Sequence, residues 1–142
     1  MFYNILLHAH SGLRWLLLIA LIAALFQTFS RRGTSGSIME TKSVLFTFIL
    51  THLQLLVGII LYFISPKVVF GGDTMSNSLF RFFTVEHALG MLIAVVLITL
   101  GYTKAKKAEP PFNKAFNYYV VAFILIIISI PWPFRELGAG WF

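Results

Sequence analysis

Four apolar runs, each about long enough to cross a bilayer, constrain this chain more than any other feature. They cover approximately residues 5–29, 44–64, 79–102 and 116–134. A helix needs about 20 apolar residues to cross a hydrocarbon layer of about 30 Å. Of all residues, 58% are hydrophobic and 11% are charged, whereas soluble domains average about 25% charged residues. The sequence therefore predicts an all-α integral membrane protein: one domain, residues 1–142, folded as an up-down four-helix bundle.

The distribution of basic residues predicts how the bundle is oriented. The first run has no Lys or Arg before it, so we expect a permanent helix and not a cleaved signal peptide. Basic residues near the ends of the runs favour the cytoplasmic side. We therefore expect both termini outside and the protein in the inner (cytoplasmic) membrane. The loops after the first and third runs carry seven basic residues against three on the other side: Arg31, Arg32, Lys42, Lys104, Lys106, Lys107 and Lys114 against Lys67, Arg81 and Arg135.

Charge and cysteine content exclude several classes of function. The net charge of +6 arises from short clusters beside the apolar runs. These clusters indicate contact with the lipid bilayer and no nucleic-acid partner. The chain contains no cysteine, which excludes disulfides, thiolate metal sites and covalent haem attachment through a Cys-x-x-Cys-His motif.

All four histidines, His8, His10, His52 and His87, lie inside the apolar runs. An ionisable side chain within a membrane span is a candidate functional residue. At a rise of about 1.5 Å per residue, His10 and His87 both lie about 9 Å from the outer edge, and His52 lies about 21 Å from it. Two axial haem ligands must lie at nearly one depth, on opposite faces of the ring. We therefore predict that His10 and His87 are ligands of a haem iron.

The other two histidines are weaker candidates for metal ligation. His8 lies about 200° around the helix from His10, so we expect it at the membrane interface. His52 has no histidine at its own depth, and Met91 is the nearby thioether. For His52 the favoured interpretation is structural hydrogen bonding between helices.

Charged residues inside or beside the runs extend the predicted site. Arg14 follows His10 by four residues and shares its helix face, and a buried arginine needs acceptors. Glu86 is the acidic residue within a run, so we expect an Arg14–Glu86 pair, with Glu86 also able to accept from a ligating imidazole. The alternative is that Arg14, Arg81 and Arg135 bind haem propionates.

Two glycines accompany the predicted ligands. Gly12 and Gly90 lie two and three residues from His10 and His87. Each either leaves room for a cofactor or permits close contact between helices.

Several motifs carry a resemblance to a known family. The chain resembles small four-helix membrane proteins labelled cytochrome b in Bacteroidota, which implies haem b and electron transfer. Through Gln54, Gly58 and His87 it is also distantly similar to one half of a haem A synthase, although it has half the spans and lacks the cysteine pair of many synthases. The family motifs occur here as His-Ser-Gly-Leu-Arg-Trp at 10–15, His-Leu-Gln-Leu-Leu-Val-Gly at 52–58, Val-Glu-His at 85–87 and Ile-Pro-Trp-Pro-Phe-Arg at 130–135.

These expectations combine into one functional hypothesis and two alternatives. We expect one haem b in the outer half, with both axial positions filled, which favours one-electron transfer over oxygen chemistry. The expected partners are a quinol in the membrane, an outward-facing redox protein, and further copies of the chain or a larger complex. One alternative is a cofactor-free accessory subunit whose polar residues fix helix packing. The other is a haem-modifying enzyme that binds haem through a single histidine.

Overall fold

Four long helices make up most of the protein. The computed structural model describes all residues, 1–142, and contains no strand. Each helix is long and apolar enough to cross a membrane, which confirms the predicted all-α, multi-pass membrane fold. The helices are α1 (Phe2–Ser30), α2 (Lys42–Ile64), α3 (Ser78–Ala105) and α4 (Phe112–Ser129).

The helices form a square in which sequence neighbours are also neighbours in space. Helix α1 packs against α2 and α4, and α3 packs against the same two helices, so α1 and α3 lie on a diagonal. Both chain termini lie at the same end of the bundle. The Arg14 guanidinium of α1 contacts the backbone of Trp141, and the Tyr3 hydroxyl lies 3.4 Å from the Ser65 hydroxyl just after α2. We name this the outer end, following the predicted orientation.

The inner half of the bundle is tightly packed. Small residues of α3 and α4 face large side chains of their neighbours, and Leu21, Ile98 and Tyr119 are fully buried. The Tyr119 hydroxyl donates to the Val44 carbonyl at 3.1 Å, which satisfies its polar atom inside the core. The opposite faces of the helices expose Leu, Ile and Phe side chains, as expected for surfaces in contact with lipid.

Helix α4 ends just before Ile-Pro-Trp-Pro-Phe at 130–134, where the two prolines predict its end, although the apolar run of 116–134 continues beyond it. Its last residue is Ser129, and Ile130 is extended at φ −72° and ψ 133°. The reason is Pro131, which disfavours a helical conformation in the residue before it. Pro131 and Pro133 also lack the N–H groups that would continue the helix by bonding to the Ile127 and Ser129 carbonyls.

Helix α3 contains an irregularity that the sequence pattern did not indicate. A helical turn at Ser78–Arg81 is followed by a π-helical segment at Phe82–Glu86, and regular α-helix resumes at His87. The Tyr62 hydroxyl donates to the Thr84 carbonyl at 2.8 Å, which fixes the segment against α2. Such π segments insert an extra residue per turn and frequently occur at functional sites.

Close helix contact at Gly101 gives a test of inner-half packing. A Cβ on Gly101 would lie 2.7 Å from the Tyr118 Cβ and 3.1 Å from the Tyr119 ring. We expect Gly101→Ala to lower the free energy of unfolding in detergent by about 1–3 kcal/mol, because the overpacked helices must separate. Gly12→Ala is the control, since a Cβ there meets nothing within 4 Å. Equal stability of the two variants would contradict this account of the packing.

The orientation is tested with single cysteines, which the native chain lacks. Ser35 and Ser76 are exposed in loops at opposite ends of the bundle. We expect a membrane-impermeant maleimide to label Ser76→Cys in intact cells and to label Ser35→Cys after the membrane is opened, because the more basic end faces the cytoplasm. The reverse labelling pattern would show that both termini face inward.

Candidate functional site

The outer half of the bundle encloses a large cavity. Its volume is about 540 Å³, within the range of about 300–1,000 Å³ typical of small-molecule sites. Along α1 the lining runs from Tyr3 to Leu17, a distance of about 21 Å at 1.5 Å per residue. Helices α2 and α3, the end of α4 and the C-terminal segment complete the walls.

His10 and His87 meet across the diagonal of the bundle. Their ring centroids are 6.2 Å apart, with 74° between the ring planes, and both residues line the cavity. The short distance agrees with the equal depth that helix rise predicts for them. The two imidazoles come from helices that are not neighbours in the bundle.

The orientation of His87 follows from the end of α4. Because Pro133 has no N–H, the Ser129 carbonyl lacks the backbone donor of a continuing helix. The His87 ring supplies the donor, with Nδ1 lying 2.7 Å from that oxygen. A carbonyl only accepts, so Nδ1 carries the hydrogen and Nε2 keeps its lone pair. A hydrogen bond of this kind also orients the histidines that bind metals.

The position of His10 depends on a glycine of α2. A Cβ on Gly58 would lie 3.3 Å from the His10 Cε1 atom, tight enough to displace the ring. Gln54, one turn away, donates from Nε2 to the His10 carbonyl at 2.8 Å. Helix α2 thus makes room for the imidazole and binds the backbone that carries it.

The two glycines singled out in the sequence have different surroundings. A Cβ on Gly12 would meet no atom within 4 Å. At Gly90 the same atom would collide with the Ser129 side chain, so this glycine permits close packing of α3 on α4 near the His87–Ser129 hydrogen bond. Neither Gly12 nor Gly90 lines the cavity.

Arg14 is buried, with 7% of its surface exposed, and lines the cavity. Its Nη2 donates to the Trp141 carbonyl at 2.5 Å, and its guanidinium lies 5.3 Å and 5.8 Å from the ring centroids of Trp15 and Trp132. The predicted pair with Glu86 is wrong. The Glu86 carboxylate lies on the bundle surface, 2.9 Å from the Nε of Arg81, because it faces away from the cavity.

Arg81 and Arg135 also lie outside the cavity lining, as does Glu86. Arg81 binds Glu86 and donates from Nη1 to the Met75 carbonyl at 3.2 Å. Arg135 donates to the Ile128 carbonyl at 2.8 Å and lies 4.6 Å from the Phe82 ring centroid. Each arginine satisfies backbone carbonyls, so of the three predicted propionate partners only Arg14 reaches the cavity wall.

Lys67 is a lining residue that sequence reasoning missed. Its Nζ donates to the Gly138 carbonyl at 2.7 Å and lies 5.0 Å from the Phe83 ring centroid. Partial burial lowers the pKa of Lys67 below its usual value. The sequence feature that could have identified Lys67 is its position as a single basic residue just after the second run, at the outer end. Arg14 and Lys67 are thus two cations on the wall of a cavity that no Asp or Glu lines.

The C-terminal segment, residues 136–142, folds back across the outer mouth of the cavity. The Trp141 carbonyl accepts from the Trp15 indole at 2.8 Å as well as from Arg14, and the Trp15 and Trp141 rings stack at 6.3 Å. Gly138, Ala139 and Phe142 form part of the wall. Backbone carbonyls of this segment therefore face both cations.

His52 and His8 take no part in the cavity lining. The His52 Nδ1 lies 2.6 Å from the Phe48 carbonyl, and its Nε2 lies 3.1 Å from the Thr99 hydroxyl. Both ring nitrogens are engaged, in the structural hydrogen bonding that the sequence favoured. His8 is exposed on the outer surface of α1.

Polar atoms without partners concentrate at the cavity. The buried side-chain atoms that make no hydrogen bond are His10 Nδ1, Arg14 Nε and Gln54 Oε1, and all three residues line it. Unsatisfied buried groups are costly and often mark functional sites. No cluster of three or more His, Asp or Glu side chains that could hold a metal ion occurs, and the imidazole pair has fewer members than the three or four ligands of a zinc site.

Comparison of the chain with protein-family models, curated proteins and solved structures finds no match.

The contact between Arg14 and Trp141 predicts the behaviour of the C-terminal segment. We expect Arg14→Gln to accelerate hydrogen exchange of the Trp15 indole N–H, which donates to the Trp141 carbonyl, by about ten- to hundredfold, since a hydrogen bond from a charged donor contributes about 1.5–3 kcal/mol. Arg81→Gln, which alters a surface arginine outside the cavity, should leave exchange of this N–H unchanged. Equal exchange in both variants would show that Arg14 does not hold the segment.

Proposed function

We propose that the protein is a membrane-embedded b-type cytochrome in which His10 and His87 bind one haem. The carrying observation is the pair of cavity-facing imidazoles at a centroid separation of 6.2 Å. A metal bound about 2 Å from a nitrogen of each of two opposed imidazoles separates the ring centroids by about 6 Å. The lone pair left on His87 Nε2 supports the same assignment.

The charges on the cavity wall fit the acidic groups of haem. Arg14 and Lys67 line the cavity and no carboxylate does, so two propionates would find two cations and no repelling charge. Charge-assisted hydrogen bonds of this kind are among the stronger ones in proteins. This pair replaces Arg81 and Arg135 as the proposed propionate partners.

The chemistry that haem b supplies when bound is the transfer of single electrons. The residues of this chain would hold and tune it. The Ser129 carbonyl orients the His87 ring and makes it more basic, and Gly58 keeps space for His10. His10 and His87 together would hold the iron, which favours electron transfer over reactions at an open iron site. Because the pair lies near the outer end, we propose an outward-facing redox protein as one partner.

The proposal is tested by the reduced-minus-oxidised absorption spectrum of the protein purified in detergent. We expect a six-coordinate b-type spectrum with about one haem per chain by pyridine haemochrome, unchanged by carbon monoxide because no coordination position is free. His10→Ala and His87→Ala should each lose that spectrum. His52→Ala and His8→Ala are matched controls that should keep it, since neither residue lines the cavity.

Two outcomes would contradict the proposal. A colourless protein from haem-replete cells would favour the cofactor-free accessory subunit. A haem that binds carbon monoxide and survives the loss of either histidine would favour a haem-modifying enzyme with an open iron position.

A further inference from the structure

Along one line between α2 and α3, only side chains separate the cavity from the lipid-facing surface of the bundle. We call this line of side chains the seam. Its exposed members, Ile59, Phe63 and Leu92, are 44%, 77% and 49% accessible on the bundle surface. No lining residue of α1 or α4 is exposed, so the seam lies between α2 and α3. Its members are Leu55, Ile59 and Phe63 of α2 and Ala88, Leu92 and Val95 of α3.

The outer mouth is closed in a different way. There the backbone of the C-terminal segment crosses the cavity, and the Lys67 ammonium donates to the Gly138 carbonyl while the Arg14 guanidinium and the Trp15 indole donate to that of Trp141. To open this route, several hydrogen bonds must break together, two of them from charged donors. The seam itself contains no hydrogen bond and lies between two that join α2 to α3, from Tyr62 to Thr84 and between Thr99 and His52. Its apolar side chains can change rotamer rapidly while these two bonds remain in place.

We infer that the seam admits a lipid-soluble quinone-class molecule to the cavity from the bilayer. The seam is apolar throughout, so it suits a ligand that is dissolved in lipid and carries no charge. The cavity beyond it offers the Ser11 hydroxyl and the Gln54 amide as partners for the oxygens of a quinone ring, whereas the Thr51 hydroxyl already donates to the Thr47 carbonyl. The apolar tail would remain among Ile59, Phe63 and Leu92.

The choice of a quinone rests on the proposed function, because a site that moves single electrons needs a partner that carries them and quinones do so in lipid. The hydroquinone loses two electrons and two protons to become a quinone, breaking its two O–H bonds. A haem held by His10 and His87 would supply a one-electron acceptor, so two copies of the protein would share the two electrons of one hydroquinone, and its two protons would leave to solvent. Binding through the seam does not itself depend on haem.

The test uses the full chain in lipid nanodiscs with decyl-ubiquinone as the binding probe. The double variant Ile59→Phe with Leu92→Phe narrows the seam. The matched control, Leu56→Phe with Leu89→Phe, changes residues of the same helices that are 60% and 56% exposed but do not line the cavity. The association rate is followed by quenching of the fluorescence of the three native tryptophans. These residues, Trp15, Trp132 and Trp141, cluster beside the cavity.

We expect quinone association to slow about tenfold in the seam variant and to stay at the native rate in the control, because larger side chains raise the barrier to opening. Reduction of bound haem by decyl-ubiquinol should slow by the same factor, while reduction by dithionite, which is water-soluble, stays unchanged. Equal association rates in the two double variants, or no quenching in the native protein, would overturn the inference.

The two proposals fail separately in this experiment. If the native protein contains haem but decyl-ubiquinone does not quench its tryptophans, the quinone route is wrong and the cytochrome proposal stands. If the protein is colourless but quenching is slowed in the seam variant, the cytochrome proposal is wrong and the quinone site stands. The haem content and elution volume of each variant show whether it has folded.

Discussion

Two prolines at the end of α4 determine how the outer half of the bundle is organised. Pro131 and Pro133 deprive the Ile127 and Ser129 carbonyls of backbone donors, and inside a membrane an unsatisfied carbonyl is costly. Side chains replace the missing donors: the Trp132 indole bonds to Ile127 and the His87 imidazole to Ser129. The orientation of one proposed ligand is thus a consequence of ending a neighbouring helix.

The need to satisfy backbone carbonyls also explains the positions of the arginines, which pairing with carboxylates would not predict. Sequence reasoning sought a carboxylate for Arg14, yet the guanidinium bonds to the Trp141 carbonyl and packs near two indole rings. Arg135 likewise donates to carbonyls at the end of α4. Backbone oxygens near irregular chain ends are numerous, and they accept hydrogen bonds from these cations without neutralising them. A positive wall results where Arg14 and Lys67 face the cavity.

The features that could be predicted are those that depend on distance along a helix. Four spans follow from the length of the apolar runs, and the meeting of His10 and His87 follows from equal counts of residues to the outer end. Features that depend on rotation around a helix were predictable on the regular helix α1, where His10 and Arg14 share the cavity face and His8 does not, but not on α3. The π segment at Phe82–Glu86 changes that rotation just before His87, and Glu86 consequently pairs with Arg81 on the surface. Lys67 was missed because its position depends on a loop and on the folded-back C-terminal segment.

Glycine shows how one residue type serves opposite ends of the bundle. At Gly101 the missing side chain lets α3 press against Tyr118 and Tyr119, which leaves no space between the helices. At Gly58 the missing side chain admits the His10 ring from α1, so the space is used by a polar group instead of a helix. The first use strengthens packing through close contact, and the second leaves a buried imidazole with an unsatisfied nitrogen. A bundle of this size can carry that cost because its inner half is tightly packed, so the packed core and the cavity occupy opposite halves along the helix axes.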